Sequence, residues 1–146
     1  MWKAPTEQDL KISISDDELD SYRDAAKKDM SFDTVEEILA RTATLVRGYC
    51  RANTNVRLGP AGTIPAGLIA PAMDYAAVDV VKRLPAGVTD ERNTARAAAL
   101  QIFRDVAEGK MQPESFGEPD DASAGSSIQL ANTSPQRFTP DNMAGL

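Results

Sequence analysis

The chain has 146 residues, enough for one domain with an ordinary hydrophobic core and no covalent staples. Hydrophobic residues make up 42% of the sequence but aromatic residues only 5%, so alanine, valine, leucine and isoleucine must build the core. Such a core favours closely packed helices over a sandwich of aromatic-rich strands. The formal net charge of −6 is the opposite of the basic footprint of a nucleic-acid-binding protein, and it argues against that class.

Side chains that carry chemistry are few. The chain has a single cysteine, Cys50, and no histidine. One cysteine cannot form an intramolecular disulfide, which favours a reducing compartment, and the missing histidine removes the commonest general base and metal ligand. The amino terminus lacks the apolar core of a signal peptide, and no apolar run is long enough to span a membrane. We therefore expect a soluble, non-enzymatic protein that is made in the cytoplasm and needs no cofactor.

The amino-terminal part of the sequence predicts two short helices in succession. Thr6 is a suitable cap for one or two helical turns over residues 6–14. Ser15 then starts a second helix, because its hydroxyl and the carboxylate of Glu18 can form a capping box. The apolar spacing fades near Lys28, where we expect this helix to end.

An acidic cluster lies in the first turn of the second helix. Carboxylates at this position stabilise the helix dipole, and this is the simpler interpretation. The alternative is a metal site or a contact with another subunit. The cluster consists of Asp16, Asp17, Glu18 and Asp20.

The strongest helical pattern covers residues 33–52. Apolar or small residues recur three and four positions apart, while glutamates and arginines occupy the other side. Asp33 is the predicted cap, with Glu36 three residues later. Cys50 falls on the apolar stripe, which indicates a small core residue rather than a nucleophile.

A loop and a central helix follow. The Gly-Pro-Ala-Gly-Thr run within residues 51–63 lacks the Gly-Lys-Ser/Thr ending of a P-loop, and no strand precedes it, so it predicts a turn. The broad apolar surface of residues 64–84 predicts a central helix that is contacted from several sides. Pro65 and Pro71 indicate a short first turn, then a kink or a new start near Pro71. The two aspartates of this segment do not form a pair suited to acid–base catalysis.

The last predicted helix runs from a cap at Thr89 to a stop at Gly109. With the preceding segments it predicts an all-α domain over residues 1–110, a small bundle of about four to five helices. The predicted buried face of this helix consists of Ala95, Ala98, Ala99, Ile102, Phe103 and Val106.

Residues 111–146 have the composition of a long extended tail. They hold four prolines and −4 of the net charge, and they show no helical period. Apolar residues are nevertheless spaced along the tail, as in a segment that lies across a partner surface or adds a strand to a sheet edge. Ordering on assembly and plain disorder are equally open. The candidate assembly contacts of the tail are Ile128, Leu130, Phe138, Met143 and Leu146.

Several short pieces occur in a characteristic order along residues 6–110. They are Thr-x-x-Asp-Leu, Asp-Asp-Glu-Leu, Val-Arg-Gly-Tyr, the turn Leu-Gly-Pro-Ala-Gly-Thr-Ile-Pro, Ala-Met-Asp-Tyr-Ala-Ala before Lys-Arg-Leu, Thr-Asp-Glu-Arg, and Asp-Val-Ala-Glu-Gly-Lys. In this order the chain resembles the head–tail connector (adaptor) proteins of long-tailed bacteriophages, including small Mu-like virion proteins.

The resemblance implies a virion protein of the phage neck. Members of this family form a helical bundle that assembles as a ring, usually of twelve copies, beneath the portal protein of a filled capsid. The ring extends the DNA channel and receives the next neck or tail-completion protein, and an extended carboxyl-terminal segment docks on the portal or on ring neighbours. An acidic chain suits a channel wall that lets packaged DNA pass without binding it.

Two sets of residues are candidates for contacts within such an assembly. Arg57, Gly59 and Pro60 lie in the exposed Gly/Pro turn and could contact a neighbouring ring. Surface arginines could pair with the acidic amino-terminal helix of a neighbour, or they are solvated and contribute little. These arginines are Arg41, Arg47, Arg51, Arg57, Arg92 and Arg96.

Two other classes remain as alternatives. One is a different neck component, a head-completion stopper or a tail terminator, which would be rich in strands. The other is a helical DNA-binding or regulatory module, which would carry a basic recognition helix and bind DNA in a salt-sensitive way.

Overall fold

The structure, a computed structural model, describes residues 1–117. The five α-helices in this part of the chain confirm the predicted all-α fold, to which one small β-ribbon is added. The elements are β1 (Trp2–Lys3), α1 (Glu7–Leu10), α2 (Asp16–Lys28), α3 (Val35–Ala52), β2 (Ile64–Pro65), a 3-10 turn (Ala66–Leu68), α4 (Ile69–Val81) and α5 (Asp90–Ala107).

Local capping explains where α2 and α3 begin. The predicted capping box of α2 is present, since the Ser15 hydroxyl accepts from the Glu18 N–H and the Glu18 carboxylate accepts from the Ser15 N–H. Asp16 and Asp17 lie with Glu18 in the first turn of this helix. The predicted cap of α3 was wrong by one position. Thr34, paired with Glu37, forms the capping box instead of Asp33 with Glu36.

The central helix α4 is buried on almost every side and packs against α3 and α5, with α1 and α2 also in contact. It makes a new start at Ile69 and runs without a break to Val81. Pro71 is its third residue, where a backbone N–H has no partner within the helix, so the proline costs no hydrogen bond. Of the two predicted outcomes, the new start is therefore the one that occurs.

Helix α5 begins at its predicted cap, because the Thr89 hydroxyl accepts from the Arg92 N–H. Of the predicted buried face, Ala99, Phe103 and Val106 are fully buried. Ala95 and Ile102 are half-buried, whereas Ala98 is exposed, so its assignment to the buried face was wrong. Gly109 follows the helix with a positive φ of 81°, a conformation that glycine adopts without strain.

Residues Trp2–Phe116 form one compact unit. The unit thus includes residues 111–116, which the sequence pattern assigned to the tail, because this segment hydrogen-bonds to the loop after α3. None of the helices in residues 1–117 is long and apolar enough to cross a membrane. The candidate tail contacts lie outside the described residues, namely Ile128, Leu130, Phe138, Met143 and Leu146.

Candidate functional site

The Gly/Pro turn between α3 and β2 is a closed and well-supported structure. The Pro60 carbonyl accepts from the Thr63 N–H at 3.1 Å and from the Thr63 hydroxyl at 2.6 Å. Gly62, the third residue of this turn, has a φ of +83°, as a type II turn requires. Glycine therefore stands at the position of this turn where a positive φ is needed.

Arg47 holds this turn against α3. Its guanidinium donates to the carbonyl oxygens of Pro60 and Thr63, both at 2.8 Å, and to that of Gly59 at 3.1 Å. The same guanidinium lies 5.9 Å from the ring of Trp2, within the range of a cation–π interaction. Three carbonyl groups of an exposed turn thus accept hydrogen bonds from one half-buried guanidinium. These hydrogen bonds hold the backbone of the turn in place.

Gly59 is enclosed on three sides. A Cβ atom at this position would stand 2.9 Å from Phe116, 3.0 Å from the Thr63 hydroxyl and 3.1 Å from Trp2. Distances this short require the neighbours to move. The residue is therefore needed for close packing between the turn, the amino-terminal strand and the segment after α5.

Arg57 joins the start of the turn to residues 111–116. Its N–H donates to the Ser115 hydroxyl at 3.0 Å, and its carbonyl accepts from the Phe116 N–H at 2.8 Å. Its guanidinium donates to the Phe116 carbonyl at 2.7 Å. Nearby, the indole of Trp2 donates to the Glu114 carbonyl at 2.9 Å. Residues that are 58 to 112 positions apart in sequence therefore form one surface.

The structure brings the three predicted contacts of the turn together but gives them different roles. Arg57 and Pro60 are exposed, whereas Gly59 is half-buried and serves packing. Phe116 stands beside them with 42% of its surface exposed. We call Arg57, Pro60 and Phe116 the turn surface, a combination of arginine and apolar residues that is common in protein interfaces.

Three residues of this region were not predicted from the sequence as part of it. Trp2 and Phe116 lie at opposite ends of the described chain, and Arg47 has the spacing of an ordinary solvent-facing arginine on α3. The only signal was the Gly-Pro-Ala-Gly-Thr run, which marks a turn but not what packs against it.

The predicted surface arginines are largely engaged within the chain. Arg92 donates to the Glu18 carboxylate at 2.8 Å, which ties α5 to the start of α2. Arg96 and Arg41 approach the buried carboxylate of Asp79 at 3.6 Å and 4.0 Å. These contacts within the unit account for charges that were candidates for pairing between ring neighbours.

Cys50 is fully buried, as its place on the apolar stripe predicted. Burial raises the pKa of its thiol to about 11, so the nucleophilic thiolate is scarce at neutral pH. Among residues 1–117, no group of three or more carboxylate or thiol side chains is placed to hold a metal ion.

No family model, curated protein or solved structure matches the chain.

Proposed function

We propose that the chain is a structural virion protein, the head–tail connector of a long-tailed phage. In this role it forms a homo-oligomeric ring, of about twelve copies in the family it resembles, below the portal protein. The ring extends the DNA channel and binds the next neck or tail-completion protein. The proposal assigns no catalytic role to any residue.

The observation that supports this role best is the turn surface on a rigid helical unit. Arg57, Pro60 and Phe116 project from a backbone fixed by Arg47 and by contacts with Trp2. A contact surface that is ordered before binding loses little conformational entropy on association, which favours repeated assembly of identical copies. Such a surface is what a connector needs toward a neighbouring ring.

The charge distribution also fits the proposal. The chain carries −6 overall, and 18 of its 22 acidic residues lie within residues 1–117 against 15 of its 16 basic ones. A wall of this net charge repels the phosphate backbone of passing DNA. A DNA-binding module would instead need unpaired basic residues gathered on one element.

The helical fold argues against the two alternative neck components, which are rich in strands. Within residues 1–117 the strands are two pieces of two residues each, paired as one antiparallel ribbon. A head-completion stopper or a tail terminator would be built mainly of strands, so the helical unit favours the connector over these components.

Electron microscopy of the neck tests the proposal directly. Wild-type protein mixed with purified portal should form rings on the portal, and labelled protein should be found at the neck of virions. Virions whose neck lacks this chain would contradict the proposal. Titration with duplex DNA at low salt should show no binding, and tight salt-sensitive binding would favour the DNA-binding alternative.

Two substitutions then test the turn surface. Arg57→Glu and Pro60→Glu should weaken ring formation on the portal while the circular dichroism spectrum stays helical, since both side chains are exposed. Arg104→Glu on the exposed side of α5 is the matched control and should assemble normally. Loss of helicity in the turn variants would make the turn purely structural.

A further inference from the structure

The outer face of α3 is left uncovered by the rest of the described chain. Its residues stand three, four and seven positions apart and therefore share one side of the helix. All five are exposed, whereas the opposite side of α3 lies in the core. They are Glu37, Ala40, Thr44, Gly48 and Arg51, and we call them the α3 face.

Gly48 is the unusual member of this face. It lies in the interior of an 18-residue helix, where glycine is less favourable than alanine. A Cβ atom at this position would meet nothing within 4 Å, so packing inside the unit does not require a glycine. A glycine with open space above it allows the backbone of another helix to approach closely.

Charge is distributed along the α3 face in a self-complementary way. Glu37 stands at the amino-terminal end and Arg51 at the carboxyl-terminal end, 14 positions apart, with Thr44 midway. Arg51 forms no ion pair with residues 1–117, and Glu37 uses its carboxylate to accept from the Thr34 N–H. Two copies of this face placed antiparallel would set each Glu37 opposite the Arg51 of the other copy.

We propose that the free protein forms a two-fold dimer through antiparallel pairing of its α3 helices. In this register Ala40 faces Gly48 of the second copy, and Thr44 lies at the two-fold axis. Small residues at the crossing let the helices pack closely, and the opposed helix dipoles add to the charge pairing. The neighbouring arginines Arg41 and Arg47 stay with their own partners, Asp33 and the turn carbonyls.

A shallow groove of about 370 Å³ borders the α3 face on one side. It is lined by Pro5, Leu39, Ala40, Ala43 and Gly62, among others, and its lining is mostly apolar. A second α3 helix on the face would cover the edge of this groove. The pairing would therefore remove apolar surface from water as well as join charges.

The dimer is independent of the proposed connector role. A two-fold dimer uses the same surface on both copies and ends at two chains. A ring needs two different surfaces on each copy, one for each neighbour. The inference therefore concerns the free chain before assembly, and its test requires no portal or virion.

Sedimentation equilibrium gives the first test. The wild-type chain should approach twice its 15.7 kDa mass as concentration rises. Gly48→Leu should remain a monomer, because a leucine at the crossing separates the helices, while thermal unfolding shows that the unit stays folded. Ala98→Leu places the same side chain at an exposed position of α5 and should dimerise like the wild type. A wild-type chain that stays monomeric at millimolar concentration would overturn the proposal.

Charge reversal tests the pairing without adding bulk. Arg51→Glu should raise the dissociation constant of the dimer about tenfold. At each end of the interface a glutamate at position 51 would then lie opposite Glu37 of the other copy, and the two carboxylates would repel each other. Combining it with Glu37→Arg should restore association. An unchanged dissociation constant in both variants would show that another surface forms the dimer.

Variants with one introduced cysteine beside the buried Cys50 test the direction of the helices. A mixture of Ala40→Cys and Gly48→Cys chains should form a disulfide between the two variants under mild oxidation, while buried Cys50 does not react. Disulfides joining only identical variants would indicate parallel helices and overturn the proposed arrangement.

Discussion

Two glycines of this chain stand in opposite surroundings. Gly59 is enclosed by Phe116, Thr63 and Trp2, so that any side chain would press on its neighbours. Gly48 lies in the middle of α3 with nothing within 4 Å of a Cβ atom. The fold requires the first glycine and does not require the second.

The comparison separates two kinds of surface. Around Gly59 the chain joins its amino-terminal strand, its central turn and residues 111–116 into one fixed structure. Around Gly48 the helix presents small and charged side chains that make few contacts of their own. We therefore expect substitutions around Gly59 to lower the free energy of unfolding. Substitutions on the α3 face around Gly48 should instead change the association of two copies.

Trp2→Ala should produce the largest loss of stability of the variants considered. Trp2 is 7% exposed and contacts Gly59, Arg47 and the Glu114 carbonyl, so its removal opens the enclosure. We expect a loss of about 3 kcal/mol in the free energy of unfolding, measured by urea denaturation followed by circular dichroism. Trp2→Phe keeps most of the ring and should lose clearly less. Equal losses in both variants would show that the indole hydrogen bond, not the packing, is decisive.

Alanine at each glycine tests the comparison itself. Gly59→Ala should cost about 1–3 kcal/mol, because the added methyl group forces Trp2 or Phe116 to move. Gly48→Ala should instead stabilise the monomer by about 0.5–1 kcal/mol, because alanine is the better helix former. The melting temperatures of both variants at low protein concentration give the result. The same sign at both positions would contradict the difference between the two regions.

Arg47→Met should lower the free energy of unfolding by about 1–2 kcal/mol, somewhat less than the Trp2 and Gly59 substitutions. The substitution keeps an unbranched apolar stem but removes the donors to the Gly59, Pro60 and Thr63 carbonyls, which water can partly replace on an exposed turn. Arg104→Met is the control at an exposed arginine of α5 and should have little effect. Amide hydrogen exchange at Thr63 should accelerate in the Arg47 variant alone.

Features encoded by neighbouring residues were predictable from the sequence. Ser15 and Glu18, or Thr89 at the start of α5, form their caps within one helical turn, so four residues contain the whole signal. The cap of α3 shows the limit of this information. Asp33 and Thr34 are both good caps, each with a glutamate three residues later, and only the folded backbone selects Thr34.

Features made by distant residues were not predictable in this way. Trp2 meets Glu114 across 112 positions of sequence, and neither residue belongs to a periodic pattern. Arg47 has the same spacing on α3 as arginines that face solvent, although it holds the turn. The sequence therefore located the turn but could not identify the residues that fix it.

Glu18 should give the smallest effect and a characteristic pH dependence. Burial raises the pKa of its carboxyl, but hydrogen bonds from Ser15 and the charge of Arg92 outweigh it and hold the pKa below the usual value of 4.5. A lowered pKa in the folded state means that the contribution is present above pH 4.5 and is lost as the pH falls through the folded value. Glu18→Gln should therefore cost about 0.5 kcal/mol at pH 7 and nothing at strongly acidic pH. Asp24→Asn, a control at an exposed acid of the same helix, should leave the free energy of unfolding at pH 7 nearly unchanged. If Glu18→Gln lowers the free energy of unfolding equally at both pH values, the effect comes from packing and not from the charge of the carboxylate. The start of α2 would then depend on packing, as the enclosed region around Gly59 does.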